Sequence, residues 1–217
     1  MKIRTLDDLV DSIQQDMAWR AKEIIDLNLM VSSAKKHKKI VLIRASITLL
    51  YSHWEGHIKH CSLVYLNYLN NIGISYEKLN DNFIQLSLSE KFREGFSIKK
   101  FYSQREIHKY LTEPIKENFK INEDIVINTE SNLKYEVFSN ILNQLGLSTD
   151  LFELKENLIN SKLLKCRNAI AHGDRLSTSE LEQTYSEIEN ELLNLIRTFQ
   201  NLVINAATTK QYLKASA

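Results

Sequence analysis

Residues that break helices are almost absent from this sequence. Its 217 residues include one proline and five glycines, and in most windows apolar residues recur at intervals of three and four rather than two. This spacing places apolar side chains along one side of an α-helix. The sequence therefore predicts an all-α protein. Because 43% of its residues are hydrophobic, we expect one globular domain, residues 1–217, with a substantial core.

Two long helices are predicted in the first third of the chain. The first runs from Leu6 to Ser32 and carries Arg20 on its apolar side, where the charge requires a partner or a path to water. The second runs from Ile40 to Leu69, and its nearly all-round hydrophobicity indicates a central position in a bundle. Gly73 is suited to follow its end with a positive φ.

Regular helical patterns return in the last third. A helix containing Leu133–Leu145 is predicted to stop at Gly146, and Asp150 is placed to cap a further segment that reaches Ala171. Residues Ser177–Glu180 have the pattern of a capping box for a last long helix. The polar tail after residue 206 is expected to fray.

The region between these parts, residues 74–130, has weaker patterns. Short helices are predicted near Asn82–Phe96 and Gln104–Phe119, with Pro114 breaking or kinking the second. Residues Ile121–Asn128 have some strand-like character. We interpret the region as an irregular, mostly helical insertion on the bundle and not as a second domain.

Charge and cysteine usage exclude several classes of protein. The 28 Lys and Arg residues are balanced by 27 Asp and Glu residues, so any nucleic-acid contact has to be local. Cys61 and Cys166 lack the paired spacing of a zinc or redox site and fit a reducing compartment. The sequence contains no signal-peptide pattern and no apolar run of membrane-spanning length. We expect a cytoplasmic protein that needs no cofactor.

Arg167 and His172 stand five residues apart at the end of a predicted helix. In a continuous helix their side chains would be rotated by about 140° from each other, so the helix has to end near Ala171 if both serve one site. Gly173 can adopt the positive φ that follows a helix end, which would let His172 turn toward Arg167. The helix dipole there favours the protonated form of the imidazole, which is useful in a catalyst that must both take and give a proton near neutral pH.

The residues around this pair resemble a known superfamily. Arg167-Asn168-x-x-x-His172 is similar to the R-N-x-x-x-H motif of HEPN proteins. The stretch Arg44–Gly56 resembles a segment of bacterial HEPN proteins from toxin–antitoxin and phage-defence loci. The resemblance implies a HEPN-like helical bundle and a metal-independent endoribonuclease that works as a homodimer. It does not extend to residues 74–130.

The activity implied by this resemblance is RNA cleavage by the substrate's own 2′-hydroxyl group, which leaves a 2′,3′-cyclic phosphate. Arg167 would hold the phosphate, His172 would act as general base or acid, and Asn168 would fix the arginine or the scissile group. The second proton-transfer group would be the His172 of another subunit. A toxin or antiviral-defence effector of this kind requires an antitoxin or sensor protein to restrain it.

Two other functions have to be weighed against this one. A HEPN domain can act as a scaffold, or as a nucleotide- or RNA-binding partner of a nucleotidyltransferase antitoxin, although a pure scaffold has no need of an intact Arg167, Asn168 and His172. A helical DNA-binding protein would require a basic recognition helix, which the sequence lacks.

The second helix carries a polar stripe at steps of four, three and four, formed by Arg44, Thr48, Tyr51 and Glu55. Polar groups on a buried face need partners. One interpretation is that Glu55, with Arg44 and Tyr51, lines the cleft and orients the catalytic pair. The alternative is an internal salt-bridge network between packed helices.

His53, His57 and His60 also share one face of the second helix, at spacings that can suit a metal. No carboxylate or cysteine motif of metal-binding spacing accompanies them. We therefore predict no metal site and interpret these histidines as a solvated or interface face.

Two further features could contact RNA. Trp54, Tyr65 and Tyr68 could stack on bases, but aromatic residues at helical spacing are usually core residues. The run Lys35–Lys39 could contact a phosphate backbone, and its alternative role is a solvated junction between the first two helices.

Overall fold

The computed structural model describes residues 2–91, 97–112 and 117–214. Within these ranges all regular secondary structure is helical, and the only β-type pairings are two isolated bridges. The α-helices are α1 (Leu6–Ser33), α2 (Lys36–Asn71), α3 (Asp81–Lys91), α4 (Phe101–Thr112), α5 (Glu123–Val126), α6 (Tyr135–Leu145), α7 (Lys165–Ala171) and α8 (Thr178–Thr208). The predicted all-α class is confirmed.

The long helix α2 lies between α1 and α8 and packs against both. Its predicted central position is therefore confirmed. The core is organised around Phe138 of α6, whose ring lies 4.9 Å from Trp54, 4.8 Å from Phe152 and 5.7 Å from Phe199, measured between centroids. Such aromatic pairs contribute about 0.5–1.5 kcal/mol each beyond the burial of their area. They join α6 to α2 and α8.

The junction between α1 and α2 is shorter than the sequence suggested. Lys35 is the N-cap of α2, and Lys36 already begins the helix with a φ of 52°. The prediction that the helix starts at Ile40 is wrong, because the positive φ of Lys36 makes the turn in one residue. The remaining lysines of the run belong to the first turn of the helix.

The glycines end their helices as predicted. Gly73 and Gly146 have φ values of 69° and 68°, the left-handed conformation that costs glycine little. At the start of α8 the Ser177 side chain accepts a hydrogen bond from the Glu180 N–H at 3.2 Å. This is the first half of the predicted capping box.

The predicted cap at Asp150 is wrong. Asp150 is the first residue of a 3-10 segment that extends to Lys155, and its N–H donates to the Ser148 hydroxyl at 3.1 Å. A π-helical segment, Leu158–Leu164, follows and leads directly into α7. The single helix predicted here is therefore three segments of different pitch.

Residues Ile121–Asn128 do not form a strand. The side-chain amide of Asn70 bonds both the N–H (3.0 Å) and the carbonyl (2.9 Å) of Ile121, so one extended residue pairs with a side chain instead of a neighbouring strand. Glu123 then accepts hydrogen bonds from Asn67 and Asn70 at 2.6 and 2.9 Å. The short helix α5 begins at that carboxylate.

The two other helices predicted in the middle region are present with different bounds. Helix α3 begins at Asp81, one residue before Asn82, and is described as far as Lys91; α4 begins at Phe101, three residues before Gln104, and residues 117–119 are not helical. The predicted end at Phe96 and the predicted kink at Pro114 lie outside the described residues.

The tail after α8 is held against α3 and the 3-10 segment at Tyr76–Lys78, contrary to the expected fraying. Tyr212 is buried and its carbonyl accepts from the Asn80 N–H at 2.9 Å. Leu213 pairs with Leu79 in an isolated bridge. The polar composition of the tail did not reveal the buried Tyr212 and the half-buried Leu213 as anchors.

Candidate functional site

Helix α7 ends where the sequence predicted. Its last residue is Ala171, His172 is the cap, and Gly173 follows with a φ of 83°. The Gly173 N–H donates to the Ile170 carbonyl at 3.1 Å and the Asp174 N–H to the Ala169 carbonyl at 2.9 Å. This pair of bonds is the Schellman motif. It leaves His172 exposed at the negative end of the helix dipole.

Arg167 is held by neutral groups from two other parts of the chain. Its guanidinium carbon lies 3.8 Å from the centroid of the Tyr51 ring. Its Nη2 donates to the Ser131 carbonyl at 3.2 Å and to Asn132 Oδ1 at 3.3 Å. Among the described residues no carboxylate pairs with it and Nη1 makes no hydrogen bond, so the charge and that nitrogen are available to an anion.

Tyr51 supports this arginine from α2. The phenol is buried, and its oxygen accepts a hydrogen bond from the Leu133 N–H at 2.6 Å. Burial raises the pKa of the Tyr51 phenol and the negative charge of Glu55 raises it further, against the opposing effects of the Leu133 N–H and Arg167. The ring is therefore a neutral platform at physiological pH.

Arg44 fixes the chain just beyond the histidine. Its Nη1 donates to the Asp174 carbonyl at 3.1 Å, which ties the start of α2 to the second residue after His172. Arg44 thus contacts the backbone just after the motif and not the motif itself. The bond restrains the loop that carries the imidazole.

Glu55 and Asn168 are not joined to the catalytic pair by side-chain bonds. Both are half-buried, and within the described ranges neither side chain makes a hydrogen bond or ion pair with Arg167 or His172. The carbonyl of Asn168 accepts the His172 N–H at 2.9 Å as part of the helix. The other interpretation of the polar stripe of α2 was an internal salt-bridge network. Among the described residues, neither Arg44 nor Glu55 forms an ion pair, so this network is absent there.

Ser131 and Asn132 are site neighbours that the sequence did not single out. Glu130 and Ser131 both have positive φ values, 55° and 56°, which are uncommon for residues other than glycine. The polar run before Leu133 could have predicted a turn. Its contact with an arginine 35 and 36 residues later could not be read from that run.

On the histidine face of α2, His53 and His57 are buried against α1 and His60 is half-buried, so of the two interpretations, a solvated face or an interface, the solvated face is wrong. His53 and His57 are buried, with His53 Nε2 2.9 Å from Glu23 Oε2 and His57 Nδ1 2.7 Å from Asp16 Oδ2. Asp16 also pairs with Arg20 at 2.7 Å, which gives that arginine its required partner. In the described ranges no group of three or more His, Cys, Asp or Glu side chains is arranged to hold a metal ion.

The aromatic residues of α2 are core residues, as the sequence favoured. Trp54 and Tyr65 are fully buried and Tyr68 nearly so, which excludes base stacking on them. The lysines of the run Lys35–Lys39 are mostly exposed. Among the described helices, none combines the length and apolar character needed to cross a membrane.

Comparison with known proteins assigns the chain to a family. A family model described as RiboL-PSP-HEPN matches residues 15–205, a range that includes α2, α7 and the middle region as well as most of α1 and α8. No curated protein and no solved structure matches the chain. The matched range covers well over half of the sequence, and the chain belongs to the RiboL-PSP-HEPN family.

Proposed function

We propose that this protein is a metal-independent endoribonuclease whose catalytic residues are Arg167, Asn168 and His172. The observation that carries the proposal is the state of the Arg167 guanidinium. It is held in place by an aromatic ring and two neutral oxygens, and no carboxylate from the described part of the chain neutralises it. A cation kept in position and unneutralised is preorganised for a phosphate.

The proposed reaction uses the RNA as its own nucleophile. The 2′-hydroxyl attacks the adjacent phosphorus, the bond from phosphorus to the 5′-oxygen breaks, and a 2′,3′-cyclic phosphate remains. One imidazole takes the proton of the 2′-hydroxyl and a second group protonates the leaving 5′-oxygen. Arg167 stabilises the charge on the pentacoordinate phosphorus, and Asn168 fixes the arginine or the scissile group.

A single copy of the motif offers one histidine. His172 is exposed at the surface of the bundle, where the same residue of a second subunit can face it. A two-fold homodimer would provide both proton-transfer groups and would bring two Arg167 side chains to one substrate. A cytoplasmic enzyme of this type, acting as a toxin or antiviral-defence effector, requires an antitoxin or sensor protein to restrain it.

The alternative is a non-catalytic HEPN scaffold or an RNA- or nucleotide-binding partner of a nucleotidyltransferase antitoxin. One observation favours it: Arg167 bonds Ser131 and Asn132 of its own chain, as a purely structural arginine would. The two functions differ in whether the protein cleaves RNA and uses His172 to do so.

The deciding experiment is an RNA cleavage assay with end-group analysis. We expect 2′,3′-cyclic phosphate ends, activity that survives EDTA, and loss of cleavage in His172→Ala. His37→Ala is the matched control, since His37 is also exposed and makes no hydrogen bond among the described residues. Equal cleavage by wild type and His172→Ala would contradict the assignment. A strictly monomeric active protein would contradict the shared site.

A further inference from the structure

Helix α4 presents an outward face that begins with two aromatic residues and continues with basic ones. At 100° per residue, the residues on this face are Phe101, Tyr102, Arg105, His108 and Lys109, and all five are exposed. Phe101 and Tyr102 are 80% and 64% exposed, which is unusual for large aromatic side chains. The site described above uses none of these residues.

The opposite face of α4 attaches the helix to the bundle. Ser103 is buried, and the Tyr110 hydroxyl bonds both the Ser87 hydroxyl and the Ile84 carbonyl of α3. Burial raises the pKa of Tyr110 to about 12, so this anchor stays protonated. The aromatic and basic face is therefore directed away from the protein by the way the helix is fixed.

Positive charge is concentrated in the segment that contains the first part of α4. Residues 97–109 contain four Lys and Arg residues and one acidic residue, a formal charge of +3, whereas the whole chain carries +1. Ile98, Lys99 and Lys100 are exposed immediately before the helix. The Arg105 guanidinium lies 5.8 Å from the centroid of the Tyr102 ring, so a cation stands next to an exposed aromatic surface.

We propose that this outward face of α4, with Lys99 and Lys100, binds single-stranded RNA. Exposed rings provide stacking surfaces for unpaired bases, and the neighbouring cations pair with the phosphates between them. A duplex would offer its phosphates but not its base faces, so the exposed aromatics select for a single strand. That the bound nucleic acid is RNA rests on the proposed function. The face adds that the RNA is single-stranded.

The same composition fits a membrane surface less well. A helix that lies in a lipid interface buries a continuous apolar face. On the outward face of α4 the two aromatics at its start are followed by Arg105, His108 and Lys109, so the face is polar over most of its length. Exposed rings with cations beside them on one face are instead typical of a surface that binds single-stranded nucleic acid.

The test measures binding separately from cleavage, in the full-length His172→Ala protein. A fluorescein-labelled oligouridylate is titrated and its anisotropy followed, with the same protein carrying Phe101→Ala and Tyr102→Ala as the first variant. We expect Kd to rise about tenfold or more. Arg105→Ala with Lys109→Ala should weaken binding and make it less dependent on salt.

Two controls are matched to these changes. Leu154→Ala removes a 95% exposed apolar side chain elsewhere, and Lys35→Ala with Lys38→Ala removes two exposed lysines from the other basic run. Neither should change Kd by as much as twofold. Because the substituted residues are exposed, thermal unfolding should be unchanged in every variant.

Unchanged RNA affinity in the aromatic variant would overturn the proposal, as would equal affinity for a duplex. If the aromatic variant loses binding to phosphatidylserine vesicles but keeps its RNA affinity, the face binds membranes instead. If wild-type protein cleaves RNA but this face does not bind it, only this inference fails. If the face binds RNA but no cleavage occurs, only the proposed function fails.

Discussion

The guanidinium of Arg167 lies over the ring of Tyr51, with 3.8 Å between the guanidinium carbon and the ring centroid. This cation–π contact joins α7 to α2 across the bundle. It orients the arginine through a neutral ring, which does not neutralise the guanidinium charge as a carboxylate would. The charge can therefore attract a phosphate. The contact therefore stabilises the site and leaves its charge available.

We expect Arg167→Lys to lower RNA cleavage about 100- to 1,000-fold, the usual effect of removing one preorganised donor in a transition state. Lysine keeps the charge but lacks the planar guanidinium that stacks on Tyr51 and that holds its donors in a fixed fork geometry. Arg197→Lys on the exposed side of α8 is the matched control. Cleavage rates under single-turnover conditions measure the effect, and a lysine variant as active as wild type would contradict the arginine's role.

Two substitutions at Tyr51 should separate its two roles. Tyr51→Phe keeps the ring under Arg167 but leaves the buried Leu133 N–H without an acceptor, which costs about 1–3 kcal/mol of stability. Cleavage by this variant should stay close to wild type. Tyr51→Leu removes the ring as well, and cleavage should fall together with stability. Urea unfolding and cleavage assays on both variants check this, and equal cleavage by the two would contradict the role of the ring.

The buried ionic cluster between α1 and α2 predicts that acid destabilises the protein. Burial lowers the pKa of His53 from its ordinary value of 6.5, although Glu23 opposes the shift. The unfolded chain therefore binds more protons here, and stability should fall as pH drops below about 6.5. Burial also opposes the charged form of Asp16, but hydrogen bonds from His57 and Arg20 outweigh it and hold the Asp16 pKa well below its ordinary value.

Stability contributed by Asp16 is present above the pKa of an unfolded aspartate and is lost as pH falls below it. Asp16→Asn should cost about 3–5 kcal/mol at neutral pH, because it leaves Arg20 buried without a charged partner, and should flatten the loss of stability below pH 4. Unfolding free energies from pH 7 to pH 3 measure both effects. A parallel pH dependence in wild type and variant would contradict the assignment.

Substitutions at Gly56 and Arg20 should have coupled effects on the free energy of unfolding. A Cβ at position 56 would lie 2.9 Å from Arg20 Nη1, and Asp16 prevents the guanidinium from moving away freely. We expect Gly56→Ala to destabilise the protein by about 1–3 kcal/mol. In an Arg20→Ala background the same change should stabilise it by about 0.5–1 kcal/mol, since alanine is then only a better helix former. A double-mutant cycle by urea unfolding measures the coupling, and additive effects would contradict it.

Much of the fold could be predicted because it depends on local properties of the chain. Few breakers and a regular apolar period are sufficient for the long helices α1, α2 and α8. The ends at Gly73, Gly146 and Gly173 follow from the φ angles that glycine alone adopts easily. The strand predicted at Ile121–Asn128 does not form, because the Asn70 side chain of α2 supplies backbone partners that a neighbouring strand would provide.

The sequence by itself determined that Arg167 and His172 belong to one helix end, since helix length and a terminal glycine are encoded within a few residues. Only the tertiary structure decided what surrounds them. Tyr51 and Leu133 are 82 residues apart in the chain, and Arg167 and Ser131 are 36 apart. Contacts at such separations depend on how the helices pack across the core, and no local period or turn preference specifies that packing.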